Sequence, residues 1–263
     1  MNFLLNLYHK RGLLLNLIKS DFKNRYLGNH LGIVWAFVQP LIMVVVYWFV
    51  FTYGLKVGAV DSSVPFIVWL LAGLVPWFLL NDAILSSSRA IVDQAFLVKK
   101  IVFEVKLLPI VKIGSAFLVS SAFWVFLIIC LMLNGLYPNL MWLQVFYYIL
   151  CILVLTLSLG LLLAPITVFI QDVGQFVSIV MQIMFWVTPI FWNQKILPEK
   201  FIWIIKLNPF AYIINGVRDS LIHSQPFWVH YNQTIYFWTL NIVLLVLGNL
   251  VFNKLRPHFA DVL

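Results

Sequence analysis

Six stretches of the chain run apolar almost without interruption, roughly 33–54, 66–86, 109–133, 143–169, 175–192 and 234–252. Each suits a helix of about 20 residues crossing a hydrocarbon core of about 30 Å. Pro40 lies inside the first run and predicts a kink, because it lacks the N–H that the helical ladder needs. The fourth run is long and has a candidate break near Pro165. The second contains WLLAGLVPWFLLNDAILSSSR, 69–89, which places Asn81 and Asp82 before the apolar pattern has finished. A plain lipid anchor needs neither, so this helix is expected to face more than lipid.

Two segments depart from the pattern. In 4–27, charges recur every few residues, while Leu14, Ile18, Phe22 and Tyr26 step by four and form one apolar stripe. Asn16, Lys19, Ser20 and Lys23 fall on other faces, which predicts an amphipathic helix lying along the inner membrane surface. The second segment is LPEKFIWIIKLNPFAYIINGVRDSLIH, 197–223. Pro198 with Glu199 reads as a helix start, and Asn208-Pro209 ends that helix and begins another. Each piece is too short to span, so two short helices dipping into the outer leaflet are expected. The predicted fold is therefore all-α and integral to the membrane. It has six transmembrane helices, an N-terminal interfacial helix, and two short outer-leaflet helices between spans five and six. One domain covers 1–263: the interfacial helix in 1–31, the six-span bundle in 33–252 and a cytoplasmic tail in 253–263.

Composition supports a bilayer as the solvent. The chain is 63% hydrophobic and 10% charged, with a mean hydropathy of +1.00, far beyond what a soluble core of 263 residues needs. The formal charge of +8 then becomes a question of sidedness. With the N-terminus inside, inner segments carry twelve of the 17 Lys and Arg and outer segments carry five: Lys56, Lys195, Lys200, Lys206 and Arg218. That bias puts both termini in the cytoplasm. Cys130 and Cys151 sit in apolar runs and read as small buried residues. The charged N-terminus does not read as a cleavable signal.

Motifs for chemistry are sparse. The sequence has no G-x-x-x-x-G-K-[ST] loop for nucleotide phosphates and no G-x-S-x-G nucleophile elbow. The five histidines lack metal-ligand spacing. Asp82 is the one acid well inside a span, near its inner end. A helix-end residue bonded to water or a neighbour explains it at least as well as a functional acid. That disfavours proton coupling. If the chain transports anything, a partner must supply the energy.

Several stretches in order along the chain carry a resemblance. They are KNRYLGNHLGIVWAFVQPL (23–41), VYWFVFTYGLKVG (46–58) with PFIVWLLAGLVPWFLLNDAI (65–84), QDVGQFVSIVMQIMFWVTPIFW (171–192), LNPFAYIINGVRDSLI (207–222) and RPHFADVL (256–263). Together they resemble the membrane subunit of ABC-2 type exporters of lipid-linked polysaccharides, a group that includes teichoic acid, O-antigen and capsule exporters, and most of all teichoic acid exporters. One departure is Gln171, where the family pattern usually has Arg before the Asp.

The resemblance implies a homodimer in a bacterial cell membrane, served by two copies of a separate P-loop ATPase. ATP and magnesium would bind in that partner, and no cofactor in this chain. The substrate would be a polymer on a polyprenyl diphosphate, with no role for nucleic acid. Coupling to the ATPase would fall to Phe96, Lys99, Lys100, Phe103 and Glu104 in the loop 93–106, to Asp172 in the turn 171–175, and to the N-terminal helix. Lys23, Arg25 and Arg89 have the charge to gather the diphosphate, though a positive-inside role explains each equally well. Pro198, Pro209, Tyr212 and Arg218 mark the outer gate helices.

Aromatic residues make up 17% of the chain. Trp48, Tyr53, Trp69, Trp192 and Trp238 fall near the expected outer boundary and read as an interface belt. Trp35, Phe37, Trp77, Phe78, Phe185 and Trp186 do not fit a belt, and are expected to include the lining of a sugar-conducting tunnel at the dimer axis. Ordinary helix packing is the competing explanation for each. Export of a drug or lipid, an integral membrane glycan-modifying enzyme and a membrane scaffold remain as other readings.

Overall fold

A computed structural model describes residues 10–26, 32, 34–54, 56, 64–98 and 104–263, and among these residues every regular element is helical. Helix α1 covers Arg11–Tyr26. Helix α2, Val34–Phe49, runs through Pro40 without a break and closes in a π turn, Val50–Gly54. Helix α3 is Phe66–Ser88, followed by a 3-10 turn and the short α4, Ala95–Val98. Helices α5, Leu107–Leu133, and α6, Gln144–Phe169, form the next pair. Helix α6 is continuous through Pro165, so the candidate break there is not realised. Helix α7 is Asp172–Val187, the short α8 and α9 are Ile202–Leu207 and Pro209–Leu221, and α10 is Tyr231–Leu255. A last turn, α11, Phe259–Val262, packs Phe259 on Phe252 at 5.7 Å.

Five of these helical stretches are long and apolar enough to cross a membrane: 34–54, 66–88, 107–133, 140–169 and 227–258. The expected span 175–192 is shorter. Helix α7 has 16 residues, about 24 Å at 1.5 Å per residue, less than the core thickness. It ends where it does because Thr188 precedes Pro189. The ring of a proline disfavours helical geometry in the residue before it, and Thr188 is extended, with φ −76° and ψ 135°. The chain then continues through 188–193 as irregular backbone.

Helix α3 is the centre of the bundle. Seventeen of its 23 residues are buried, and it contacts α2, α5, α6, α7 and α9. The helix expected to face more than lipid therefore faces other helices on nearly every side. The two short helices also differ from expectation. Helix α8 has six residues after a 3-10 turn at Glu199–Phe201, and α9 buries ten of its 13 residues in the bundle. Asn208 starts α9 by accepting bonds from the Phe210 and Ala211 N–H groups at 2.9 and 3.3 Å, with Pro209 at the first helical position.

Close packing of α9 on α6 depends on Gly216, since a Cβ there would fall on the Tyr148 ring. Tyr148 is 2% exposed and has nowhere to move. Gly216→Ala is expected to cost about 1–3 kcal/mol through overpacking. A thermal melt of the purified protein in lipid nanodiscs checks this, and an unchanged midpoint would contradict it.

Candidate functional site

Polar side chains collect at the two ends of the bundle. At the end that holds α1, Asp21 is 5% exposed, and its carboxylate meets Lys112 Nζ of α5 at 2.9 Å and Arg25 Nε at 3.4 Å. Lys112 also lies 3.7 Å from Asp93, and Gln94 Nε2 donates to Asp21 at 3.3 Å. Arg25 reaches in the other direction and donates to both oxygens of Asp82 in α3, at 3.1 and 2.9 Å. One charged network thus joins α1 to α3, to α5 and to the turn before α4. Alongside it, Leu14, Leu17 and Ile18 pack on Leu107 and Val111 of α5. The apolar stripe of α1 is spent partly on protein. Burial makes these pairs matter, because an acid this deep is costly without partners.

A cleft of about 450 Å³ opens beside this network between α2, α3 and α5, lined by Arg25, Trp35, Gln39, Phe78, Asn81 and Asp82 among others. It brings together Arg25, Trp35 and Phe78, three residues singled out separately in the sequence. Phe37 and Phe78 both pack on Phe123, at 5.6 and 6.1 Å.

At the opposite end, Arg218 of α9 is buried to 3% exposure. Its guanidinium lies over the Trp69 ring at 3.5 Å, a cation–π stack. Nε donates to the Trp69 carbonyl at 3.3 Å, Nη1 to the Pro189 carbonyl at 2.5 Å, and Nη2 to the Ile190 carbonyl. Those last two carbonyls belong to the irregular segment that follows α7. Backbone outside a helix at membrane depth needs protein partners, and Arg218 supplies them. Asn208 adds a bond from Nδ2 to Thr188 Oγ1 at 2.9 Å. Gly73 leaves room for the guanidinium, since a Cβ there would meet Arg218 Nη2. Burial pushes the Asp219 pKa up, and His230, 3.4 Å away, acts to lower it.

Trp69 is therefore 5% exposed core rather than interface belt. Tyr212 belongs to a hydroxyl chain. Trp238 Nε1 donates to Tyr147 Oη at 3.0 Å, which meets Tyr212 Oη at 2.9 Å, and Tyr212 in turn meets Thr234 at 3.0 Å. These bonds tie α6, α9 and α10 together.

The remaining singled-out residues are dispersed. Trp77 is 4% exposed and packs on Phe185 and Phe210 at 5.5 and 5.9 Å, so its ring lies inside the protomer. Trp35 and Trp186 are about half exposed, at 47% and 55%. Lys23 and Arg89 are exposed, and the Arg89 stem lies near Gly174 in the first turns of α7, two residues after the exposed Asp172. Arg25 is already ion-paired, so a diphosphate there would compete with two carboxylates. Phe96 is exposed, and Glu104 pairs with Lys10 at 2.7 Å. Lys99, Lys100 and Phe103 lie outside the described residues.

Membrane-length helices with a charged network at one end and a buried arginine pinning irregular backbone at the other define a multi-pass membrane protein. The family model for "ABC-2 type transporter" matches residues 13–222, and the chain belongs to that family as a membrane subunit, with ATP hydrolysis assigned to a separate partner. Over 262 residues it is 29% identical to an O-antigen export system permease protein RfbA of Klebsiella pneumoniae, covering 98% of this chain and 97% of that one. A second such protein from the same organism is 28% identical. The corresponding protein of Myxococcus xanthus is 26% identical over 264 residues, covering 97% of this chain and 96% of the relative.

Proposed function

We propose that this chain is the permease subunit of an ATP-driven exporter that moves polyprenyl-diphosphate-linked cell-envelope polysaccharide from the inner leaflet outward. The observation that carries this reading is the near full-length match to O-antigen export permeases from two organisms. Those relatives favour an O-antigen-type polymer. The ordered stretches at 46–58 and 65–84 keep teichoic acid as the second reading.

The working unit is a homodimer with two ATPase subunits, which bind ATP and magnesium. Helix α2 supports this, because only 11% of its most apolar window is buried. Helix α7, which packs beside it through Tyr47 and Phe185 at 5.6 Å, exposes Phe176, Ile179, Ile183 and Trp186 along one face. Exposed Gln175 and Gln182, seven residues apart, lie close to that face. Lipid has no use for glutamines, whereas a polar tunnel between two copies does. Helix α7 and the residues up to 193, capped by Arg218, make the sixth crossing. With α1 and the basic loop inside, both termini are cytoplasmic, and the exposed Phe96 docks on the ATPase.

The test is copurification from native membranes, followed by ATPase assays in nanodiscs with lipid-linked O-antigen and lipid-linked teichoic acid. We expect a P-loop subunit in equal amount, with hydrolysis stimulated by one polymer and lost when residues 93–106 are replaced by a Gly/Ser linker. A chain that purifies without any nucleotide-hydrolysing partner would end this reading.

A further inference from the structure

We infer that the end of the bundle built around α9 carries a binding site for a neutral sugar, formed by residues of one protomer. The observation is a polar cavity of about 330 Å³ whose walls include Trp69, Trp192, Asn215, Asp219, His230 and Gln233. Its volume is at the small end of ligand sites, which run from about 300 Å³ upward, and suits one or two pyranose rings.

The lining is unusual for this protein. Where the α1 end gathers charged pairs, this cavity gathers five carboxamides, one carboxylate and two histidines beside two indoles and two phenols. Planar amides and a carboxylate recognise vicinal hydroxyls, donating and accepting at matched spacing. Of the rings in the lining, Trp69 is covered by the Arg218 guanidinium and Tyr148 and Tyr212 are buried, so the part-exposed Trp192 offers its indole to the C–H face of a sugar ring, through weak C–H contacts that need no fixed donor. The charge pattern argues against an anion. Asp219 is the one acid in the lining, and it pairs with His230. Arg218 has each of its three nitrogens committed to a backbone carbonyl. Gln233 makes no hydrogen bond to the described residues, although it lines the cavity and is half-buried. A sugar hydroxyl would complete it. Because the cavity is framed by α9 and the Pro189 turn, occupancy would bear directly on the elements that cap α7.

This inference takes its ligand class from the export reading, on which the cavity would hold sugar units of the emerging polymer. The experiment uses the permease with its copurified ATPase in nanodiscs. The probes are the methyl pyranosides of mannose, galactose, glucose and rhamnose, each observed by saturation-transfer NMR. We expect transfer to the ring C–H protons of at least one glycoside at millimolar concentration. Gln233→Leu should weaken apparent affinity about fivefold, the loss of roughly one hydrogen bond. Gln233→Trp, which fills the cavity, should abolish transfer while the melting midpoint stays unchanged. Absence of transfer from all four glycosides overturns the site even where the ATPase copurifies and the polymer stimulates it. Transfer that survives Gln233→Trp, or that is displaced by millimolar tetramethylammonium as a probe cation, overturns it as well. Loss of the ATPase partner is a separate result, and counts against export rather than against the cavity.

Discussion

Arg218→Ala is expected to lower the melting midpoint of the purified protein by roughly 10 °C, the largest single-residue effect on stability in this chain. The carbonyls matter more here than the charge. Removing the guanidinium strands the Pro189 and Ile190 carbonyls in a segment with no helical ladder. Each orphaned buried polar group costs about 1–3 kcal/mol, and the lost stack on Trp69 adds about 1 kcal/mol. For a domain of this size, each kcal/mol shifts the midpoint by roughly 2–4 °C. Arg218→Lys should fall nearly as far, because an ammonium on a flexible stem cannot bridge three carbonyls and lie flat on an indole. Were charge alone the point, lysine would restore the midpoint. A thermal melt in nanodiscs separates the two, and an Arg218→Ala midpoint within 2 °C of the parent would refute the role assigned to this residue.

That role was invisible in the sequence for a physical reason. Arg218 reads as one more basic residue in a short segment between spans. Its partners are the carbonyl of Trp69, 149 residues away, and those of a turn 28 and 29 residues back. Backbone acceptors leave no side-chain signature. The apolar runs, by contrast, were legible because a long helix in lipid must be apolar along its whole length, and five of the six appear as membrane-length helices. The short sixth was also readable in principle, since Thr188-Pro189 carries its own stop signal inside the run. The family resemblance was legible from ordered stretches spread along the chain; 46–58 and 65–84 alone leaned toward one polymer, teichoic acid, whereas the relatives matched are O-antigen permeases. At the α1 end, the sequence reads Lys23 and Arg25 as surface or substrate charges and Asp82 as a helix-end acid, each singly. The pairing of Asp21 with Lys112 depends on how α1 docks against α5, which the helical period alone does not fix. Trp69 was misplaced in the belt for the same reason, as depth along a helix says nothing about which neighbour covers a ring.

Neutralising either member of the Asp21–Lys112 pair should release α1 from the bundle and uncouple export from ATP hydrolysis. Asp21 is 5% exposed and Lys112 9%, and after either single change the other charge keeps only its longer contact, Arg25 for Asp21 and Asp93 for Lys112, at a cost of about 1–3 kcal/mol. The cost falls on the docking of α1, whose other holds include Leu14, Leu17 and Ile18 on α5, Arg25 on Asp82 and Lys10 on Glu104. Local opening at this scale exposes amide protons without unfolding the bundle. Hydrogen exchange in nanodiscs should therefore rise in 11–26 for Asp21→Asn and for Lys112→Met, while α3 and α6 stay protected. The double variant Asp21→Asn with Lys112→Met removes both charges together, and should cost less than the sum of the two by about 1–3 kcal/mol. Recovery will be partial, because Asp93 loses its contact with Lys112 and Arg25 loses its contact with Asp21. Uncoupling follows from position, since the same network reaches the turn before α4 and the exposed Phe96 beside it. Polymer-stimulated ATPase activity should thus fall in both single variants and return in part in the double one. Additive exchange costs, with no recovery in the double variant, would mean the two charges act independently and would overturn their pairing as a hold on α1.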